Sequence, residues 1–106
     1  MIRKATVSRL RPEKIEQYLQ LHKNPWPEVC KIMANHHHTH HSVYIHGDIL
    51  FQYLEYTGTD FDADMEQMRN SEIMQKWWAQ CRECVIACDG GDGPAWQSLE
   101  EIFHNN

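Results

Sequence analysis

Tyr18 and His22 are the residues of this sequence best placed for acid/base chemistry. They stand four positions apart in a segment where Ile15 and Leu19 follow helical spacing, so both rings lie on one face of a predicted helix. The ordinary pKa of histidine, about 6.5, lets an imidazole give and take a proton near neutral pH. Two core residues with satisfied polar tips would explain the same spacing, and the spacing alone does not decide between the interpretations.

Three tryptophans accompany this pair. Trp26 follows His22 by four residues, and Trp77 and Trp78 are adjacent in a later segment. Their flat faces are suited to stacking on the C–H side of a sugar. Neighbouring helical residues point about 100° apart, so Trp77 can share an apolar stripe while Trp78 faces a pocket wall or a partner subunit. A simply exposed Trp78 is the alternative.

Metal ligands are the second chemical possibility. The run from His36 to His41 contains five imidazoles, which are common ligands of zinc, nickel and copper, so a His-rich metal-binding module is an alternative function. Cys81, Cys84 and Cys88 fall in one segment, but a structural zinc site normally has four ligands. We interpret these cysteines as reduced thiols on a helix face and the histidine run as a solvated connection, and we predict no metal.

Strands and helices that position these residues follow from periodicity and from helix and turn signals. In chain order we first predict a strand over 2–10, a helix from Pro12 that Asn24-Pro25 breaks, and a shorter helix from Trp26 to Met33. A connection over 35–40 then leads to a hairpin of strands 41–45 and 49–56. A short helix capped by Asp60 follows, then a second helix that is capped by Ser71 and reaches Cys88, a loop over 89–94, and a last strand over 96–104.

That order is the βαββαβ arrangement of an α+β, ferredoxin-like fold, which has an antiparallel sheet with helices on one face. The strand over 49–56 is apolar on both sides, with Ile49, Phe51 and Tyr53 on one and Leu50, Leu54 and Tyr56 on the other. Helices cover only one of these sides. We therefore expect a second subunit on the other, in a homodimer.

Bulk properties restrict the class of protein further. The 106 residues make one domain over 1–106, with the 42% hydrophobic and 24% charged residues of an ordinary globular protein. A net charge of −5 with scattered Lys and Arg argues against nucleic-acid binding. No stretch approaches the roughly 20 apolar residues of a membrane helix, and the start lacks an apolar signal core. These observations predict a cytoplasmic protein that binds neither nucleic acid nor membrane.

Motifs spread over nearly the whole chain resemble those of L-rhamnose mutarotases. They are Met1-Ile2-Arg3-Lys4-Ala5, Tyr18-x3-His22-x3-Trp26-Pro27-Glu28, Val43-Tyr44-Ile45, Leu50-Phe51 with Glu55, Trp77-Trp78, and Glu100-Glu101-Ile102-Phe103. The resemblance implies a dimeric α/β barrel with a monosaccharide pocket in each subunit and no cofactor. It also implies that His22 is the catalytic acid/base and that Tyr18, Trp77 and Trp78 contact substrate.

His41 departs from the family pattern, because the family usually carries a substrate-contacting tyrosine at this position. An imidazole is shorter and ionises, so we expect a sugar contact with altered preference or pH dependence. The predicted activity is exchange between the anomers of a 6-deoxy-L-hexose, L-rhamnose or L-fucose. Trp77-Trp78-x2-Cys81-x2-Cys84 and Phe103-His104 are more similar to a branch associated with L-fucose. Dimeric barrels that bind haem or oxidise aromatic substrates share the fold and form a third class, supported by fold and histidines alone.

Overall fold

A computed structural model describes all 106 residues. The elements are β1 (Ile2–Leu10), a 3-10 turn (Pro12–Lys14), α1 (Ile15–Lys23), α2 (Pro27–Asn35), β2 (His38–His46), β3 (Ile49–Tyr56), α3 (Phe61–Arg69), α4 (Glu72–Arg82), β4 (Val85–Ile86) and β5 (Gln97–Ser98). None of the helices is long and apolar enough to cross a membrane.

All strands belong to one antiparallel sheet in the order β2-β3-β1-β4. β1 and β3 pair along their whole length, from Ile2 opposite Tyr56 to Arg9 opposite Ile49. β4 and β5 both pair with the other edge of β1, one after the other. The sheet curls under its helices as a half-barrel, and the predicted α+β, ferredoxin-like fold class is confirmed.

Two helices begin at the predicted caps. The Asp60 carboxylate accepts a hydrogen bond from the backbone N–H of Ala63, at 3.1 Å, and starts α3. The Ser71 hydroxyl accepts one from the N–H of Met74, at 3.3 Å, and starts α4. Side chains of this type satisfy N–H groups that the first helical turn leaves free.

Buried side chains form two clusters between the helices and the sheet. One consists of Leu10, Tyr18, Leu50, Cys84 and Val85, and the other of Val29, Met68, Met74 and Trp77. Cys81 packs against both clusters. The packing therefore brings side chains of α1 and α4 together, which places the predicted Tyr18 and Trp77 contacts in the same region.

β3 is two-sided, as its sequence predicts. Leu50 and Tyr56 are each 1% exposed beneath the helices. On the opposite side, Phe51 is 42% exposed and lies across from Tyr44 of β2, which is 64% exposed. The single chain thus leaves aromatic surface uncovered on the open face of the sheet.

Three predicted boundaries are wrong. α4 ends at Arg82 instead of Cys88, because β-branched Val85 and Ile86 pair with the edge of β1, where the Ser8 hydroxyl donates to the carbonyl oxygen of Ile86 at 3.1 Å. β2 begins at His38 instead of His41. The last strand shrinks from 96–104 to Gln97–Ser98, and the residues after it have no regular structure.

Candidate active site

α1 presents Tyr18 and His22 as a stacked pair. Their ring centroids are 4.1 Å apart with an angle of 27° between the planes. Nδ1 of His22 lies 3.0 Å from the carbonyl oxygen of Tyr18. A carbonyl only accepts hydrogen bonds, so Nδ1 carries the proton and Nε2 of the neutral ring carries a lone pair. The local helix geometry therefore leaves a base nitrogen at the ring edge away from the backbone.

The surroundings hold both rings in their neutral forms at pH 7. Burial lowers the pKa of His22, and the hydrogen bond to the Tyr18 carbonyl opposes that effect only in part. Burial also raises the pKa of Tyr18 well above that of an exposed phenol, and the nearby Cys81 and Cys84 thiols add to the shift. His22 is thus available as a base, while Tyr18 keeps its proton and acts as a hydrogen-bond donor.

α4 contributes the aromatic walls. Trp77 is buried, with its ring centroid 5.4 Å from that of His22. Trp78 is half-buried and faces the same cavity. It therefore forms a pocket wall, which is one of the two positions that the sequence predicted for it. Trp26 packs edge-on against Trp77 at 5.3 Å and stands behind it, outside the lining of the cavity.

These side chains enclose a cavity of about 290 Å³ between the helices and the sheet. Its lining consists of Tyr18, His22, Met33, His41, Gln52, Trp77, Trp78, Cys81, Arg82 and Trp96. The mixture of flat aromatic rings with a few polar groups is typical of sites for small polar ligands. Burial raises the pKa of the Cys81 thiol to about 12, so this cysteine stays protonated and is no nucleophile.

His41 reaches the cavity because of a β-bulge. Thr39 pairs with Glu55 and Ser42 with Tyr53, so His40 and His41 together oppose a single residue of β3. His40 takes the left-handed backbone conformation, with φ of +48°, that the bulge requires. His41 is partly exposed to solvent. Burial of the rest of the ring lowers its pKa, a hydrogen bond with Gln52 opposes this decrease, and the nearby His22 and His38 rings add to it.

The remaining histidines of the run diverge. Nδ1 of His36 donates to the Ile32 carbonyl oxygen at 2.7 Å, and Nδ1 of His37 lies 3.1 Å from the Asp64 carboxylate. His38 is buried below the helices. No group of three or more His, Cys, Asp or Glu side chains is arranged to hold a metal ion.

Several lining residues escape prediction from the sequence. Gln52 is the clearest that a signal could have found, because it is the one amide in the otherwise apolar or aromatic stretch from Ile49 to Leu54. Trp96 follows a glycine-rich loop, and a large aromatic residue there is unusual. Met33 and Arg82 carry no comparable signal.

The sheet is antiparallel and curled, and its helices cover one face. A neutral histidine lies among tryptophans beneath these helices. This architecture is that of small α/β-barrel proteins. A family model described as L-rhamnose mutarotase matches residues 3–105. The chain belongs to the L-rhamnose mutarotase family. The predicted family is thus confirmed, and with it a carbohydrate isomerase that interconverts anomers.

Individual relatives agree with the family match. The chain is 30% identical to the L-rhamnose mutarotase of Klebsiella pneumoniae and 32% identical to that of Shouchella clausii, each over 106 residues and 98% of both chains. The crystal structure of an L-rhamnose mutarotase from Formosa agariphila superposes with a TM-score of 0.77 at 23% identity, covering 100% of both chains. A tetracenomycin F2 cyclase from Streptomyces glaucescens shares the fold, with a TM-score of 0.67 and 10% identity over 100% of both chains.

Proposed function

We propose that this protein interconverts the α and β anomers of L-rhamnose, with His22 as the acid/base group. The observation that carries the proposal is the free Nε2 of a neutral, half-buried His22, set between the Tyr18 and Trp77 rings in a cavity sized for one small ligand. Relatives that cover 98% of the chain are L-rhamnose mutarotases, which favours L-rhamnose over L-fucose.

His22 supplies both proton transfers. Nε2 takes the proton from the anomeric hydroxyl as the C1–O5 bond breaks, which gives the open-chain aldehyde, and the imidazolium returns that proton to O5. Rotation about the C1–C2 bond presents the other face of the aldehyde. Closure by the reverse transfers gives the other anomer and restores neutral His22, so the protons balance over the cycle.

Tyr18 stabilises the negative charge that develops on O5. Its raised pKa keeps the phenol protonated, and a buried donor aimed at developing charge stabilises a transition state more than an exposed donor does. Tyr18 is therefore a hydrogen-bond donor to the ring oxygen or to a neighbouring hydroxyl, and His22 is the base.

The remaining site residues bind and orient the sugar. Trp77 and Trp78 stack on the C–H face of the sugar. His41 and Gln52 form hydrogen bonds with its hydroxyl groups on the sheet side. Trp26 serves the site indirectly, since its edge-on contact fixes the ring plane of Trp77.

We also propose that the enzyme works as a homodimer joined through the open face of the sheet. Phe51 and Tyr44 are exposed there, and fully burying a side chain of this kind contributes about 1.5–3 kcal/mol.

The four cysteines are free, which fits a reducing compartment such as the cytoplasm.

Saturation-transfer NMR on the anomeric protons tests the substrate assignment. We expect protein treated with a chelator to accelerate exchange between the anomers of L-rhamnose and to act more slowly on L-fucose. A control sugar such as D-glucose should exchange at the rate of the buffer blank. Faster exchange with L-fucose than with L-rhamnose would overturn the substrate, and no acceleration with either would overturn the activity.

A further inference from the structure

His22 lies between two parts of the cavity lining that belong to different core clusters. Its ring centroid is 4.1 Å from that of Tyr18 and 5.4 Å from that of Trp77. Trp77 belongs to one cluster together with the lining residues Met33 and Trp78, which pack against it, and Tyr18 belongs to the other. The proposed reaction uses the tryptophans of the first part for stacking, but it leaves the walls beside Tyr18 without a role.

Two residues form these walls. They are Cys81 of α4 and Trp96, and both line the cavity and pack against the cluster that contains Tyr18. Burial raises the pKa of the Cys81 thiol, so this group stays protonated and behaves as a small apolar side chain. The phenol of Tyr18 is therefore flanked by a neutral thiol and an indole ring, which together make an apolar surface.

The strand that follows Trp96 holds this ring at the cavity. β5 pairs with the edge of β1, and the N–H of Leu99 donates to the carbonyl oxygen of Ala5 at 2.8 Å. Trp96 itself is half-buried against the cluster. Its ring is thus a fixed wall that shapes the cavity next to Tyr18.

The proton transfers of the proposed reaction direct the C6 methyl group of the sugar toward this wall. His22 moves protons between O1 and O5, and Tyr18 donates to O5. C5 is bonded to O5 and carries C6, so a sugar held in this way has C6 on the side of Tyr18. A 6-deoxyhexose has a methyl group there, which gains from apolar cover, whereas the C6 hydroxyl of an ordinary hexose would lose hydrogen bonds with water.

We propose that Trp96 and Cys81 form the binding surface for the C6 methyl group and that Trp96 determines the preference of the enzyme for 6-deoxyhexoses. This inference rests on the proposed function. In an apolar pocket, a missing methyl group lowers kcat/KM about 10- to 200-fold and an added hydroxyl lowers it about 100-fold. The parent enzyme should therefore prefer L-rhamnose to L-lyxose, which has the same ring hydroxyl configuration but lacks C6, and to L-mannose, which carries a hydroxyl on C6.

Trp96→Ala tests the contact when it is combined with the sugar that lacks the methyl group. Saturation-transfer NMR of both enzymes on L-rhamnose and L-lyxose gives four values of kcat/KM, whose ratio isolates the interaction between Trp96 and C6. We expect the variant to lower kcat/KM for L-rhamnose about 3- to 10-fold and to keep that for L-lyxose within about twofold of the parent value. Where exchange of L-lyxose is too slow to follow, its inhibition constant against L-rhamnose takes the place of the rate.

Met33→Ala is the matched control, because Met33 lines the same cavity but packs against the Trp77 cluster. It should lower the values for L-rhamnose and L-lyxose by the same factor. Trp96→Leu keeps an apolar side chain on the Tyr18 cluster and should lose less on L-rhamnose than Trp96→Ala, so it serves the test if the alanine variant does not fold.

Cys81→Ser tests the second wall. Its hydroxyl lies beside C6 and should raise kcat/KM for L-mannose relative to that for L-rhamnose about 3- to 10-fold, because it offers the C6 hydroxyl a hydrogen bond. Cys30→Ser, the same change at an exposed site, should leave this ratio at the parent value.

Equal losses on L-rhamnose and L-lyxose in Trp96→Ala would show that Trp96 only supports the fold and would overturn the proposal. A loss in Met33→Ala that requires the methyl group would place C6 at the opposite end and overturn it as well. Parent enzyme that exchanges L-rhamnose, L-lyxose and L-mannose equally fast contradicts the methyl contact and leaves the proposed function standing. No acceleration with any of the three sugars overturns both.

Discussion

Replacing His22 with asparagine separates the nitrogen that we assign to catalysis from the nitrogen that holds the ring in place. The asparagine amide lies near the position of Nδ1 and still donates to the Tyr18 carbonyl oxygen, which is 3.0 Å from Nδ1 in the parent. Nothing remains at the position of Nε2. His22→Ala removes both interactions and is the matched comparison.

The expected sizes follow from these contacts. Loss of an acid/base group lowers kcat by about 10²- to 10⁴-fold, and both variants should show it. Loss of the stacking on Tyr18, whose ring centroid is 4.1 Å away, costs about 0.5–1.5 kcal/mol of unfolding free energy in both. The alanine variant loses about another 0.5–1.5 kcal/mol with its hydrogen bond. The two variants should therefore match in rate and differ in stability.

Saturation-transfer NMR at saturating L-rhamnose gives the rate, and urea denaturation gives the unfolding free energy. KM should change little, because stacking on Trp77 and Trp78 does not depend on His22. His46→Asn, at an exposed site on β2, controls for the substitution itself. Folded His22→Asn that exchanges anomers at the parent rate would show that His22 is a core residue and that the mechanism is wrong.

Three further outcomes are expected. Tyr18→Phe, which keeps the ring and removes the hydroxyl, should raise KM about 3- to 10-fold and lower kcat less than either His22 variant does; a larger kcat loss, measured in the same NMR assay, would make Tyr18 the main proton carrier. The pH profile of kcat/KM should be flat near neutrality and fall in acid with a midpoint below 6.5, since burial lowers the pKa of His22 and only its neutral form is a base; a midpoint above 6.5 would contradict this assignment. Phe51→Lys should convert the proposed dimer to a monomer in sedimentation velocity at micromolar concentration; a parent protein that sediments as a monomer would contradict the dimer, and a variant that stays dimeric would place the interface elsewhere.

The fold follows from the sequence where local signals and burial agree. Asp60 and Ser71 start helices because their side chains satisfy free N–H groups, and the Leu50 and Tyr56 side of the apolar strand β3 is the side buried beneath the helices. Helical spacing also places Tyr18 and His22 together, since residues four apart share a face whatever the helix packs against.

Tertiary contacts decide what local patterns leave undetermined. His38 and Val43 lie on the helix side of β2 although they are five residues apart, which strict alternation forbids; the bulge at His40 makes both placements possible, and no turn signal announces it. Val85 continues the apolar helical pattern of α4 in the sequence, yet it forms a strand because it pairs with Leu10 at the edge of β1. Spacing likewise does not distinguish Trp26, which supports Trp77, from a residue that touches ligand.

The most direct test of anomer exchange starts from a single anomer. Crystalline L-rhamnose of one anomeric form is dissolved in neutral buffer with a chelator, and its optical rotation is followed to equilibrium with increasing amounts of protein. We predict a first-order rate constant that rises linearly with enzyme concentration above the buffer blank, towards the same final rotation, and that returns to the blank with His22→Asn. A rate constant that stays at the blank for the parent enzyme would contradict the proposed function.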